Sequence, residues 1–343
     1  MGRQVKHNSI TSPELLAQVN KKNLELGEEF LDYLRSVQRS ESTIEAYKSD
    51  LNIFWVYCLQ HLDNKNFIDI TKRDIVKFQN WCIYENENSS SRVRRLKACI
   101  SSLSNYVENI LDEEEEFKDF RSIVRKIENP PQERKLEKMV WSDEELEGLL
   151  DTLCSNGKYE QACFVALAMY GGRRKSELTR FRMTDFDEDK LVCDGALYKS
   201  DPIRTKGRAN GKYIPCYTLA KRFKPYLDLW IKQRKELGIN ESEWLFPKFG
   251  NISEHIEPAT INSWSNTCSN ILGKPFYPHS LRHYYVSSMS RAGIPESVIT
   301  QIVGWDSAEM FSVYNDNPAD EQISRYFKNG DIAPPTQTDL SEL

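Results

Sequence analysis

The sequence predicts a mainly α-helical protein with a small antiparallel β-sheet, divided into two domains. Three observations predict this. Apolar residues recur every three or four positions over long segments, an Asn-Gly pair at 210–211 follows β-like sequence, and a Pro-Pro pair interrupts the chain at 130–131. Spacings of three and four place side chains on one helix face, and Asn-Gly favours a hairpin turn. A chain of 343 residues has the length of about two domains.

Four amphipathic helices are predicted in the first part of the chain. The first begins near Glu28, the second follows the SerGluSer cap at 40–42, the third opens at Thr71, and the fourth opens at 89–91. Each has apolar residues at helical spacing, and the connections between them are short and polar. These features predict an all-α domain over residues 25–128.

The segments that flank this domain differ from it in composition. Residues 1–24 are polar and are expected to form a loose arm, and residues 129–138 form a proline-led, charged linker. The second domain is assigned to residues 139–329. The tail, residues 330–343, is expected to be disordered.

The second domain is predicted to mix helices with a little β-structure. It opens with a Ser142–Glu145 capping box before an apolar helical run that reaches about Tyr170. The β-like segments that follow are 191–192, 196–205 and 212–217. Further helices are predicted at 219–237, 261–272, 281–291 and 296–303.

Composition excludes several classes of protein. Apolar residues make up 39% and aromatic residues 11% of the chain, which excludes a wholly disordered protein. No apolar run approaches the roughly 20 residues that cross a bilayer, and the first residues contain no apolar signal segment. The eight cysteines include no CxxC pair, which favours reduced thiols over disulfides or a zinc site. We therefore expect a cytoplasmic protein.

Charge gives a mixed indication. The net charge of −5 does not by itself indicate a nucleic-acid partner. The fourth helix, however, carries Arg92, Arg94, Arg95 and Lys97 in its first two turns, where the helix dipole disfavours cations. This cluster has two interpretations, a solvated face or a helix that binds DNA phosphates.

A cation-rich break interrupts the second domain. Glycines 171 and 172 precede Arg173 and Arg174, and Glu177 follows one helical turn after Arg174. Backbone amides and guanidinium groups at such a break favour anion binding, and Glu177 can orient Arg174. Lys206 lies farther on, in the loop of the predicted hairpin, a place where lysine is usually solvent-exposed.

The strongest cluster is HSLRH at 279–283. His279 and Arg282 are one helical turn apart, so they face the same way. An imidazole for proton transfer beside a guanidinium for phosphate charge suits phosphoryl transfer. Tyr314 follows the pair Gly304-Trp305 by nine residues. Taken alone, one of 16 tyrosines indicates a core or interface residue.

Taken together, these motifs resemble the active-site signature of the tyrosine recombinase, or phage integrase, family. Order and intervals both match over roughly residues 25–328. The matching positions are Arg174 in GGRRKSEL, Lys206 in TKGR, His279 and Arg282 in HSLRH, Trp305 in VGW, and Tyr314. The resemblance implies a helical core-binding (SAM-like) domain followed by a mixed α/β catalytic domain.

The resemblance also implies a role for each position. Tyr314 would be the nucleophile that attacks a scissile DNA phosphate and forms a 3′-phosphotyrosine. Arg174 and Arg282 would bind the non-bridging oxygens, and Lys206 would be the general acid for the departing 5′-oxygen. His279 would assist proton movement at the tyrosine or donate to the phosphate. Phosphotyrosine exchange conserves bond energy, so neither a metal nor another cofactor is implied.

The remaining positions match less closely. Trp305 stands where histidine is commonest, and its indole can donate to a phosphate oxygen but cannot transfer a proton. Glu177 and His283 match supporting positions around the site. Arg173 occupies a place that is usually apolar, although alignment on SerGluLeu favours Arg174 as catalytic. Tyr326 lies at the wrong spacing from Trp305 to be the nucleophile.

A basic surface that faces DNA would reconcile this resemblance with the negative net charge. The candidates for that surface are Arg92, Arg94, Arg95, Lys97, Arg173, Arg204, Arg208 and Lys212.

The resemblance further implies duplex DNA with inverted-repeat core sites as the partner, and a homotetramer on two such sites. A helix at 320–327 would pack on a neighbouring protomer. An accessory directionality factor is compatible with this scheme, and a bacterial or phage-encoded protein associated with the nucleoid is expected. Integration or excision of a mobile element is the leading function. The alternatives are Xer-type dimer resolution, a type IB topoisomerase and a non-catalytic DNA-binding regulator.

Overall fold

The computed structural model describes residues 10–131, 139–205, 211–307 and 309–317, together with the backbone of 327–328 and 331–332. The described residues form two compact units, one before and one after segment 132–138. Both are mainly helical, with short antiparallel strands in the second, so the predicted fold class is confirmed.

The first unit is a bundle of helices around an aromatic core. Its α-helices are α1 Pro13–Leu16, α2 Lys21–Ser36, α3 Glu41–His61, α4 Lys72–Asn80 and α5 Ser90–Ile110, with a 3₁₀ turn at Phe67–Asp69 and a π-helical turn at Trp81–Glu85. Two of the caps read from the sequence are present: Thr71 and Asp74 form a capping box, and the Ser89 hydroxyl accepts from the backbone N–H of Arg92. Ser40 stands at the N-cap of α3 but makes no side-chain capping hydrogen bond. The core includes Phe54 and Trp55.

The prediction of a loose arm over residues 1–24 is wrong for the part that the structure describes. Helix α1 lies inside that stretch, and α2 begins at Lys21 instead of Glu28. Asn20 caps α2, and its side-chain amide also donates to Asn66 Oδ1 at 2.7 Å. That partner lies 46 positions away, so local sequence contains no sign of the contact. Residues 1–9 lie outside the described part.

The second unit surrounds a buried central helix. Its α-helices are α6 Asp143–Ser155, α7 Tyr159–Gly171, α8 Lys175–Leu178, α9 Ala220–Glu236, α10 Thr260–Leu272, α11 Pro278–Arg291, α12 Glu296–Val303 and α13 Glu309–Tyr314. The predicted Ser142–Glu145 capping box is present. Helix α7 is apolar on all sides and is buried from Ala162 to Gly171, because α6, α9 and α11 pack around it.

The β-structure consists of short antiparallel pairs. The strands are β1 Leu191–Val192, β2 Leu197–Lys199, β3 Ile203–Arg204, β4 Tyr213–Ile214, β5 Tyr217–Leu219, β6 Pro247–Lys248, β7 Asn251–His255, β8 Phe327–Lys328 and β9 Asp331–Ile332. One sheet has the order β1-β2-β5, and the other strands pair as β3-β4, β6-β7 and β8-β9. The β3-β4 pair joins Arg204 to Tyr213, so the predicted hairpin brackets Lys206. Residues 206–210 themselves lie outside the described part.

Two predictions near the C-terminus are wrong where they can be compared with the structure. Phe327 was expected to end a helix, and it lies in a strand that pairs with Asp331–Ile332. Residues 331–332 were expected to be disordered. Cross-strand hydrogen bonds between segments this short are not visible in a hydrophobic pattern. Residues 320–326 of the expected helix lie outside the described part.

Two further features bear on the sequence-based expectations. All eight cysteines are free thiols, and Cys193 is the exposed one among them. No helix within the described ranges is both long and apolar enough to span a bilayer.

We expect stability of the second unit to fall with pH because of Glu160. Its Oε1 is buried without a partner among the described residues, and burial raises its pKa to about 8, against the opposing charge of Arg234. The unfolded chain loses this proton near pH 4.5, whereas the folded protein keeps it to about pH 8, so stability falls between those values. Glu160→Gln should therefore raise the melting temperature at about pH 8 and have little effect below about pH 4.5.

The measurement is thermal unfolding at both pH values, with Glu241→Gln as the control because Glu241 is exposed. An equal rise in the melting temperature of Glu160→Gln at both pH values would contradict this account.

Candidate active site

The end of helix α7 and the start of α8 place two neighbouring arginines differently. Gly172 ends α7 in the left-handed conformation, and Arg174 then occupies the N-cap of α8. The Glu177 carboxylate accepts from the Arg174 backbone N–H at 3.2 Å and from its Nη1 at 2.9 Å. Glu177 is buried, whereas Arg174 is partly exposed. The predicted orienting contact is therefore present, and Arg174 reaches the surface of the site.

Arg282 lies on the first turns of α11 and is fully buried. Its Nη1 donates to the Gly172 carbonyl at 3.0 Å and its Nη2 to the Val303 carbonyl at 3.4 Å. Nε is buried with no partner among the described residues. Burial lowers the pKa of this guanidinium, and the positive charge of Arg174 lowers it further.

Tyr314, the last residue of α13, is buried against His279. The tyrosine hydroxyl lies 3.0 Å from His279 Nε2, and the two rings are edge to face at 5.4 Å. Desolvation lowers the pKa of His279 to about 4, with further lowering by His283 and Arg282. The imidazole is therefore neutral near pH 7. With its proton on Nδ1, Nε2 can accept the hydroxyl proton of Tyr314.

A second imidazole forms another wall around Tyr314. The His283 ring lies 4.5 Å from the Tyr314 ring, and its Nδ1 donates to Asp316 Oδ2 at 3.1 Å. Ser287 Oγ accepts from the Asp316 backbone N–H at 3.0 Å and donates weakly to the Tyr314 carbonyl. These contacts attach the nucleophile candidate and the residues that follow it to α11.

Trp305 completes the aromatic surroundings. Its ring lies 5.0 Å from that of Tyr314, and the guanidinium carbon of Arg282 lies 5.5 Å from the Trp305 ring. The indole Nε1 is buried and has no partner among the described residues. Buried donors are normally satisfied. Arg282 and Trp305 both lie against the Tyr314 ring, so their unpartnered Nε and Nε1 donors indicate a site for an oxygen-rich anion.

This arrangement brings together seven of the eight residues predicted for the catalytic site and its support. They are Arg174, Glu177, His279, Arg282, His283, Trp305 and Tyr314. The eighth, Lys206, lies outside the described residues. Within the described part of the chain, no group of three or more His, Cys, Asp and Glu side chains could hold a metal ion.

The structure corrects the assignment of Arg173 to the DNA-binding surface. Its side chain is buried, with 1% exposure. Nη2 donates to the Pro215 and Ile302 carbonyls at 2.7 and 2.8 Å, and Nη1 donates to the Val303 carbonyl at 3.2 Å. Arg173 therefore joins segments of the core and is not part of an exposed surface that binds DNA.

Lys97 requires the same correction. It is 6% exposed, and its Nζ donates to the Ile127 and Glu128 carbonyls at 2.8 and 2.7 Å. The other cations of α5 are more accessible. Arg92 and Arg95 both donate to the buried carboxylate of Asp50, and Arg94 donates to the Pro130 carbonyl.

The remaining candidates for DNA contact lie near the β3-β4 hairpin. Lys212 is half-exposed and pairs with Asp306, next to Trp305. Arg204 is partly exposed at the end of β3. Arg208 lies outside the described residues.

A groove of about 930 Å³ lies alongside His279. One wall is the exposed face of α10, where Asn262, Asn266 and Asn270 recur every four residues. Lys175 Nζ donates to Asn262 Oδ1 at 3.0 Å. This face therefore presents amide groups next to the candidate active site.

Sequence reasoning missed several residues that hold predicted residues in place. Asp316 fixes His283 from 33 positions away, Asp50 fixes two arginines of α5, and Arg180 donates to the Arg204 carbonyl. None of these residues belongs to a motif or has its partner within one helical turn. A sequence without its fold contains no signal for such pairs.

Comparison with known proteins covers both units. The sequence profile described as "Phage integrase family" matches residues 140–321, and the profile "Phage integrase, N-terminal SAM-like domain" matches residues 26–116. The SPbeta prophage-derived recombinase-like protein YomM of Bacillus subtilis (strain 168) is 27% identical over 281 residues, which cover 81% of each chain.

Two solved structures share the fold at low identity. The XerH site-specific recombinase in its post-cleavage complex with palindromic difH has a TM-score of 0.64 at 15% identity, over 90% of this chain and 89% of that one. A lambda integrase tetramer bound to a Holliday junction has a TM-score of 0.62 at 16% identity, over 85% of this chain and 77% of that one.

Proposed function

Because this chain belongs to the phage integrase family, that of the tyrosine recombinases, we propose that it cleaves and rejoins duplex DNA at specific sites through a 3′-phosphotyrosine on Tyr314. The observation that carries this proposal is the hydrogen bond between the Tyr314 hydroxyl and neutral His279, next to unpartnered donors of Arg282 and Trp305. A hydroxyl beside a neutral base and anion-binding donors is the arrangement that nucleophilic attack on a phosphodiester requires.

The proposed cleavage step uses the residues as follows. The Tyr314 hydroxyl attacks phosphorus and passes its proton to His279 Nε2. Arg174, Arg282 and the Trp305 indole donate to the non-bridging oxygens and stabilise the charge of the pentacoordinate transition state. The bond from phosphorus to the 5′-oxygen breaks, and Lys206 supplies the proton to that oxygen. Rejoining reverses these transfers.

Glu177 and His283 support this step without contacting the phosphate. Glu177 holds the Arg174 guanidinium in place, and His283, fixed by Asp316, packs on the Tyr314 ring. Positioning of this kind contributes to rate because a reacting group that is already oriented loses less entropy in the transition state.

DNA recognition is assigned to cations on both units and to the α10 groove. Arg92, Arg94 and Arg95 of α5 and Arg204, Arg208 and Lys212 near the hairpin are proposed to contact phosphates. The asparagines on α10 are suited to base edges, since an Asn amide can form two hydrogen bonds with adenine in the major groove.

The biological reaction is proposed to be integration or excision of a mobile element. The similarity to a prophage-derived recombinase-like protein supports this choice. Strand exchange needs four cleavages on two duplexes, so the working unit is proposed to be a homotetramer on two inverted-repeat core sites. The fold shared with a lambda integrase tetramer on a Holliday junction supports that assembly. Because the proposed substrate is DNA, we propose that the protein acts where the DNA of the cell lies.

The test is covalent capture of the protein on a nicked duplex. Duplexes that bind the protein are first selected from a random library, and inverted repeats among them define the site. A nick near the scissile phosphate then traps the intermediate because a short strand diffuses away after cleavage. We expect a covalent protein–DNA band in the presence of EDTA, lost in Tyr314→Phe and retained in Tyr326→Phe.

Each alternative predicts a different result. A covalent band that persists in Tyr314→Phe would overturn the nucleophile. Binding without any covalent band would support a regulator that only binds DNA. Relaxation of supercoiled DNA without strand exchange between two sites would identify a type IB topoisomerase, and preference for a chromosomal dimer site would favour Xer-type resolution.

A further inference from the structure

Arg180 connects the segment that carries Arg174 to the strand that leads to Lys206. Its Nη1 donates to the backbone carbonyl of Arg204 at 2.7 Å, and Arg204 is the last residue of β3, two positions before Lys206. The Arg180 backbone N–H donates to the Glu177 carbonyl at 3.0 Å, within the turn that follows α8. One side chain thus joins two parts of the chain that are each assigned a role at the phosphate.

This contact is electrostatically costly. Burial lowers the pKa of the Arg180 guanidinium, and the positive charge of Arg204 lowers it further, against a favourable effect of Glu177. An apolar side chain of similar length would fill the space without the cost of desolvating a charge. What the guanidinium adds is a charged donor held in a fixed direction on the Arg204 carbonyl, a strong type of hydrogen bond.

The other side of the hairpin base is held independently. Thr205 donates to the Lys212 carbonyl through both its backbone N–H, at 2.7 Å, and its hydroxyl, at 2.9 Å. On β4, Ile214 packs so closely on Gly304 that a Cβ there would lie 2.2 Å from Ile214 Cδ1. These contacts fix the return strand near Trp305, and Arg180 fixes the outgoing strand near Arg174.

We propose that Arg180 is a positioning residue for the protonation of the leaving group, which it serves by fixing the strand that delivers Lys206. This rests on the proposed function, in which Lys206 Nζ transfers its proton to the 5′-oxygen as the bond from phosphorus to that oxygen breaks. Loss of the Arg180 bond would leave binding of the phosphate by Arg174 and Arg282 in place. It would slow the one step that needs a correctly placed acid.

The experiment uses two nicked duplexes that differ in one atom. In the first, the scissile phosphate has its normal 5′-oxygen, and in the second that bridging atom is sulfur. A thiolate leaves without being protonated because a thiol has a much lower pKa than an alcohol, so the second substrate needs no general acid. Cleavage is followed in a single turnover by the rate of covalent complex formation.

We expect Arg180→Met to slow cleavage of the oxygen substrate by about tenfold or more, a part of the 10²–10⁴-fold that general acid catalysis supplies. The sulfur substrate should be cleaved at close to the native rate. Arg180→Gln keeps a neutral donor, so its cleavage rate on the oxygen substrate should lie between those of Arg180→Met and the native chain. If Arg180→Met does not fold, the Gln variant carries the test with the same pair of substrates.

Three control variants separate this proposal from the function it rests on. Lys206→Ala should show the same rescue by sulfur, whereas Arg174→Lys should be slow on both substrates. Arg182→Met removes a half-exposed arginine that pairs with Glu243, and this variant should cleave both substrates at the native rate. If Lys206→Ala is not rescued, the proposed acid is wrong. Suppose instead that the sulfur substrate restores the cleavage rate of Lys206→Ala. Arg180 then does not position the acid if its variants cleave both substrates slowly, or if they cleave the oxygen substrate at the native rate.

Discussion

Arg174→Lys is expected to slow strand cleavage by about 10²–10³-fold, the loss typical when one donor to a transition-state oxyanion is removed. Arg174 is partly exposed at the N-cap of α8, with Nη1 held by Glu177, so its remaining donors can face a phosphate. A lysine ammonium cannot reproduce the planar guanidinium, whose geometry allows it to contact Glu177 and a phosphate at once. Because this side chain is not part of the core, the melting temperature should change little.

Arg173→Lys is the matched control and should give the opposite result. The buried Arg173 guanidinium satisfies the Pro215, Ile302 and Val303 carbonyls. Each carbonyl left unsatisfied costs about 1–3 kcal/mol, so this variant should melt at a clearly lower temperature. The measurements are single-turnover formation of the covalent complex and thermal unfolding. Our assignment would be wrong if Arg173→Lys lost cleavage at unchanged stability, or if Arg174→Lys lost stability instead of rate.

Gly172→Ala is expected to destabilise the second unit by about 2–5 kcal/mol, as the sum of steric overpacking and left-handed backbone strain. Gly172 has a φ of +61°, and a Cβ there would lie 2.2 Å from the ring of Tyr285. The Tyr285 side chain is buried, so the ring has no free space into which to move. The shift would also disturb the Gly172 carbonyl that accepts from Arg282, and cleavage should fall with stability.

Gly157→Ala isolates the backbone part of this effect. Gly157 has a φ of +67°, but no atom lies within 4 Å of the position that a Cβ would take. It should therefore cost only about 1–2 kcal/mol, the strain of a left-handed alanine. Thermal unfolding of both variants makes the comparison. A similar loss of stability in Gly172→Ala and Gly157→Ala would show that the contact with Tyr285 does not contribute.

Helix positions and the order of the catalytic motifs could be predicted because their signals are local. Spacing of apolar residues, the Thr71 and Ser142 capping boxes and Pro278 at the start of α11 all act within one or two turns of a helix. The HSLRH spacing placed His279 and Arg282 on one face for the same reason. The missed start of α2 depends on a partner outside that range, because the Asn20 cap also bonds to Asn66.

The sequence alone determined which residue types the site has and in what order, since those are properties of short segments: Arg174 with Glu177, the HSLRH turn, and Tyr314 after Trp305. The SerGluLeu motif favoured Arg174 over Arg173, but only the tertiary structure showed where each side chain lies. Gly172 turns the chain so that Arg173 points into the core and Arg174 out of it. The tertiary structure also showed that Lys97 is buried, that Asp316 bonds to His283 and that Arg180 bonds to β3. Those outcomes depend on which donors and acceptors meet when distant segments pack, and buried donors must then bond to whatever carbonyl or carboxylate the fold brings to them.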